Sequence, residues 1–171
     1  MTGLAVVNEL DRKAFVALLG SSFEHADWVA EQAFDARPFA TVTALHGAMM
    51  DTVRNAPQEA RLAFLNGHPE LAGADARLAM TADSVSEQGS AGLDRLSAAE
   101  FDRFDDLNSA YRTKFGFPFI IAVRGRSKDE ILSIFRERLA SDVSTEMEAA
   151  LTEIALITRM RLERLIKEPV T

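Results

Sequence analysis

The segment FLNGHPELAG, residues 64 to 73, sets one of only three histidines directly before a proline. Pro69 fixes its own φ and biases the preceding residue away from helix, so His68 is held on a rigid turn. An imidazole exchanges its proton near neutral pH, which suits a fixed histidine to general acid or base work. The alternative reading of the same position is a histidine that caps the helix before it. A second candidate is SVSEQ, Ser84 to Gln88. Ser84 and Glu87 have the spacing of a capping box, in which the serine oxygen accepts from a free backbone N–H while the glutamate reaches back to another. A helix N-terminus equally offers N–H groups to an anion or a carbonyl oxygen. Gln88 adds a donor and an acceptor in that first turn, enough to read a ureido or imide group. Spacing alone leaves cap and site both open.

Two further features stand out. In KFGFPFIIAVRGR, Gly116 and Pro118 stop a helix, and an apolar run then leads to Arg124 and Arg126. An extended segment fits this run better than another helical turn. It is either a buried connector or a recognition edge, because buried non-helical N–H and C=O groups must find partners. Arg161 falls on the apolar side of the last helix, with Met147, Ala150, Leu151, Ile154, Ile157 and Leu165. Burying an unpaired guanidinium is expensive, so it requires an acid such as Glu87 or Glu153, or an anionic substrate. Arg124 and Arg126 are compatible with simple solvation. His25 and His46 fall in no HExxH or comparable ligand spacing, and no metal site is expected.

These residues must be positioned by a chain of 171 residues that is 47% apolar, a natural size for one domain with a sizeable core. The net charge is −7, and the 19 Lys and Arg residues are scattered among acids, which argues against nucleic acid as a partner. Cysteine is absent, so disulfides, thiolate nucleophiles and sulfur-ligated metals are excluded. The opening MTGLAVVNELDRK has no basic segment followed by a long apolar run, and no apolar stretch approaches the ~20 residues that cross a bilayer. A soluble, cytosolic protein is the expectation.

The apolar spacing is helical almost throughout. Leu10, Phe15, Leu18 and Leu19 line one face of a helix that Gly20 ends. Further helices are expected at about 26 to 35, 41 to 55, 58 to 66, 84 to 94, 97 to 115, 128 to 140 and 143 to 167. Ser84 with Glu87, Ser97 with Glu100 and Ser127 with Glu130 each carry the Ser-x-x-Glu spacing of a helix start. The expected fold is all-α, a single compact domain over residues 1 to 171 with about eight helices and one short extended segment near 117 to 124.

Several long motifs occur together in one order: FEHADWVAEQAFDARPF, HPELAG, SVSEQGSAGLD, LNSAYRTKFGFPFIIAVRGRSKDEIL, RL at 138 and 139, and RMRLERL. In these the chain resembles, nearly end to end, the 2-oxo-4-hydroxy-4-carboxy-5-ureidoimidazoline (OHCU) decarboxylases of urate degradation. The resemblance implies an all-helical homodimer that forms (S)-allantoin without a cofactor. It carries over His68 as the catalytic acid or base with Glu87 beside it. Pro69, Ser84, Val85, Ser86 and Gln88, together with Phe119, Ile120, Ile121, Ala122 and Val123, then resemble the substrate-binding set. Arg161 resembles the family's pocket arginine, and Arg124, which closes FIIAVR, is a lesser candidate.

The implied chemistry is consistent with those residues. Loss of CO₂ beside a ring C=N sends the bond electrons into the imine, so the substrate is its own electron sink. The protein has to orient the carboxylate, stabilise charge on the ring and deliver a proton to one face. Two other readings remain: a non-catalytic helical module that binds a ligand or dimerises, and a decarboxylase for a related ureido acid. Leu156 and Met160, off the main apolar face of the last helix, would suit a protein contact. The chain ends PVT rather than in a peroxisomal tripeptide, so a bacterial-type cytosolic enzyme is expected.

Overall fold

The structure, a computed structural model, describes residues 1–73 and 80–168. It divides into two compact units, Met1–Phe64 with Ala155–Thr171, and Leu65–Ile154.

The first unit begins with α1 (Leu4–Glu9) and α2 (Arg12–Leu19), where the apolar period predicts one helix through Leu10. The break comes from Asp11. Its carboxylate accepts from the Ala14 N–H at 2.8 Å and starts a fresh helix, so a local N-cap overrides the periodicity. Gly20 caps the end of α2, as its place in the sequence indicates. Helices α3 (Asp27–Ala33) and α4 (Val42–Asn55) follow, then α5 (Gln58–Asn66) as far as Phe64. Phe15, Leu19, Val29, Leu45 and Met49 are fully buried and form the centre of this unit. Thr2–Gly3 (β1) and Ile166–Lys167 (β2) pair as a two-stranded parallel ladder, which periodicity does not foresee.

The second unit carries α6 (Ala82–Ser90), α7 (Ala98–Phe115), α8 (Lys128–Leu139) and the part of α9 (Val143–Leu165) up to Ile154. The boxes at Ser97 with Glu100 and Ser127 with Glu130 form in full. The third does not. Thr81, three residues upstream, caps α6 by accepting from the Ser84 N–H, so Ser84 and Glu87 lie inside the helix and Gln88 lies beyond its first turn. Glu87 is thereby released from a capping role. Gly116 ends α7 at φ +79, a left-handed conformation that favours glycine. Beyond it, residues 117 to 123 are neither helix nor ladder, and all seven are buried. Tyr111 anchors this run from α7: its ring lies 5.9 Å from that of Phe117, 5.4 Å from Phe119 and 5.7 Å from Phe135 of α8, all edge-on. No described helix is long and apolar enough to cross a membrane.

Candidate active site

The imidazole of His68 is carried on the turn that closes α5. The His68 N–H donates to the Leu65 carbonyl at 3.1 Å, and the residue is half-buried. Helix α7 holds this turn from one side. Arg112 donates through Nε to Glu70 Oε1 at 2.7 Å and through Nη1 to Asn66 Oδ1 at 3.1 Å. Asn66 in turn donates to the Gly116 carbonyl at 3.0 Å, and buried Asn108 donates to the Leu71 carbonyl at 2.9 Å. Helix α6 holds it from another. Gln88 Oε1 accepts from the Ala72 N–H at 3.1 Å, and Gln88 Nε2 donates to the Glu70 carbonyl at 3.3 Å.

Gln88 is therefore the fastening between the His68 turn and the helix that bears Glu87. One amide proton and one carbonyl lone pair of Gln88 remain beyond these two bonds. On α6, Ser84, Glu87 and Gln88 recur at the spacing of one helical face, and they are buried or half-buried. Val85 and Ser86 are exposed, with Val85 at 50%, so the five residues expected to act together divide between two faces.

The segment from Phe119 to Val123 is braced by two arginine–glutamate pairs. Arg138 donates through Nη1 to the Ile120 carbonyl at 2.7 Å, while Nε and Nη2 bond the fully buried Glu146 carboxylate. The Tyr111 hydroxyl donates to the same glutamate oxygen. Burial pushes the Tyr111 phenol far above its ordinary range, and the bond to Glu146 adds to this, so it stays protonated as a donor. The Arg138 guanidinium also lies over the Phe119 ring at 4.5 Å. The second brace is Glu153, which accepts from the Ala122 N–H at 2.9 Å and takes both ends of the Arg126 fork. Arg126 is thus a structural partner and not merely solvated, whereas Arg124 is exposed. Ile120 and Ala122 spend backbone groups on these braces. Among the described residues, no protein group is bonded to the N–H or C=O of Ile121.

Arg161, in the first unit, is 4% exposed and pairs with buried Glu24 at 3.1 Å. Glu24 is an acid that helical spacing does not point to, and Glu153 is committed to Arg126. A contact across 137 positions of sequence is invisible to helical spacing. His46 shares a hydrogen bond with Thr158 Oγ1 at 2.9 Å, and His25 stands 3.9 Å from Glu24. Among the described residues, no group of three or more histidines and carboxylates is arranged to hold a metal ion.

Comparison with known proteins bears on what this arrangement serves. The family profile described as OHCU decarboxylase matches residues 8–163. The chain belongs to the OHCU decarboxylase family. It is 41% identical over 167 residues to the 2-oxo-4-hydroxy-4-carboxy-5-ureidoimidazoline decarboxylase of Halalkalicoccus jeotgali, covering 96% of this chain and 93% of that one. It is 40% identical over 162 residues to the uric acid degradation bifunctional protein PucL of Bacillus subtilis, spanning 95% of this chain and 32% of that larger protein. Among solved structures, an OHCU decarboxylase crystallised in the presence of (S)-allantoin superposes with a TM-score of 0.67 at 26% identity, covering 91% of this chain and 98% of that one.

Within this OHCU decarboxylase family member, the supporting residues are those that sequence reasoning misses. Asn108, Tyr111 and Arg112 stand at i, i+3 and i+4 of α7 in the motif LNSAYR, which marks a shared face. Nothing in that spacing says that Asn108 and Arg112 hold the His68 turn, or that Tyr111 reaches Glu146. Arg138 and Glu146 are likewise unremarkable in sequence until the fold sets them under Ile120.

Proposed function

We propose that the chain decarboxylates 2-oxo-4-hydroxy-4-carboxy-5-ureidoimidazoline to (S)-allantoin, a step of urate degradation. The observation that carries this reading is a histidine turn fastened by two helices, in a chain that matches the OHCU decarboxylase profile from residue 8 to 163. Cleavage of the ring carbon–carboxylate bond releases CO₂ and leaves its electron pair between the two ring carbons, while the imine π pair moves onto nitrogen. The ring nitrogen takes up a proton, and as the hydroxyl gives up its own and becomes a carbonyl, a proton delivered to one face of the former imine carbon fixes the handedness of the product.

His68, with Glu87, polarises the substrate hydroxyl and handles that proton. Pro69 keeps the imidazole on its turn. The backbone of Phe119 and Ile121, with the N–H of Val123, grips the heterocycle along the edge that Ile120 and Ala122 do not use, since successive residues of an extended segment face opposite ways; the Val123 carbonyl is taken by the Arg126 N–H at 3.1 Å. Ser84 and the remaining amide capacity of Gln88 meet the ureido arm from α6, with Val85 and Ser86 on the flank of that helix. Arg124, exposed at the end of the extended segment, supplies positive charge for the carboxylate. The enzyme works as a homodimer in the cytosol. Leu156 of α9, 48% exposed, is an apolar side chain suited to a subunit contact, and a cysteine-free chain suits a reducing compartment.

The test is to generate the unstable substrate in place from urate and follow allantoin by circular dichroism. Rapid formation of one enantiomer supports the reading. Racemic product at the uncatalysed rate overturns it and favours a non-catalytic module or an enzyme for another ureido acid.

A further inference from the structure

We propose that Arg112 is a positioning residue for His68, acting through the residues two before and two after it. The inference rests on the reading of His68 as the acid/base group. One guanidinium takes Asn66 Oδ1 on one side of the imidazole and Glu70 Oε1 on the other, so the ends of a five-residue span are tied to a single rigid fork. Each end has an independent second anchor: Asn66 on the Gly116 carbonyl, and the Glu70 carbonyl on Gln88. Within the span, Pro69 removes one backbone rotation. The His68 side chain then has little left to vary except its own rotamer.

Arg112 itself contributes little to keeping the unit folded. Its side chain is 46% exposed and that of Glu70 29%, and an ion pair this open to water is worth little to stability. The cohesion of the same stretch of α7 comes instead from Tyr111 and Phe115, which are buried. An open guanidinium that binds both flanks of the candidate acid/base is placed to fix geometry. Misplacing a reacting group by about an ångström costs on the order of a hundredfold in rate. The fork is the means of preventing it.

Arg112→Gln, Arg112→Lys and Glu70→Gln in the full chain, with His68→Ala beside them, test the proposal by circular-dichroism kinetics on substrate made from urate. Arg112→Gln is expected to lower kcat on the order of tenfold to a hundredfold while KM and the thermal midpoint stay near wild type, with a lower enantiomeric excess. Arg112→Lys, a point charge without the fork, retains more of kcat than Arg112→Gln. The double variant with Glu70→Gln falls no further than Arg112→Gln alone, because both act through one turn. Wild-type kcat and handedness in Arg112→Gln, with His68→Ala inactive, would overturn the proposal. So would a loss of activity that tracks loss of folded protein. Wild-type turnover in His68→Ala would instead remove the reading on which the proposal stands.

Discussion

Arg138 donates to the Ile120 carbonyl at 2.7 Å while the rest of its guanidinium is held by Glu146, so a backbone oxygen in the middle of the buried run from residue 117 to 123 is fixed by a buried ion pair. The side chains are 11% and 0% exposed. The pair also orients Tyr111, whose ring packs on Phe119. Support of this kind turns an irregular stretch of chain into a surface with defined hydrogen-bonding groups.

Arg138→Met leaves Glu146 buried without its cation and releases the Ile120 carbonyl. Breaking a buried pair in this way costs about 3–5 kcal/mol. Urea unfolding followed by far-ultraviolet circular dichroism should show a loss of that order, with the denaturant slope unchanged. A loss within experimental error of zero would mean that the brace is dispensable.

Gly116→Ala tests the turn that launches the same segment. At φ +79 an alanine pays the left-handed penalty of about 1–2 kcal/mol, and the ring cluster of Phe115 and Phe117 on either side has to absorb any shift. The expected result is a lower thermal midpoint with the helical spectrum retained.

His46 gives the first unit a pH dependence of known sign. Burial lowers its pKa below the ordinary 6.5, and Arg159 lowers it further against an opposing contribution from Glu163. Below 6.5 the unfolded chain binds a proton that the folded chain resists. The folded state therefore has its full advantage above that pH and loses it as pH falls toward the depressed folded value. Thermal midpoints should decline as pH falls below the ordinary histidine value of about 6.5, and His46→Gln should flatten that part of the profile. An unchanged slope in the variant would assign the titration to another group.

How much of this was legible beforehand depended on the range of the interaction. The starts of α7 and α8 follow from Ser97 and Ser127 because a capping box is complete within four residues. The same logic fails at Ser84 because Thr81, an equally good cap, lies one turn upstream, and it fails at Leu10 because Asp11 starts a new helix. The interruption at Gly116 and Pro118 is local and foreseeable. The bonds from Arg161 to Glu24 and from Arg138 to the Ile120 carbonyl are not, since they form through the tertiary fold. His68 stood out through its proline, whereas Arg112, which flanks it in space, resembles any surface arginine.

The proton-handling assignment is tested most directly by the kinetics of His68→Ala on substrate generated from urate, read by the circular dichroism of allantoin with the helical spectrum as a control for folding. A folded variant that yields racemic allantoin at the spontaneous rate is the predicted result. A folded variant that still delivers (S)-allantoin at the wild-type rate would contradict the account.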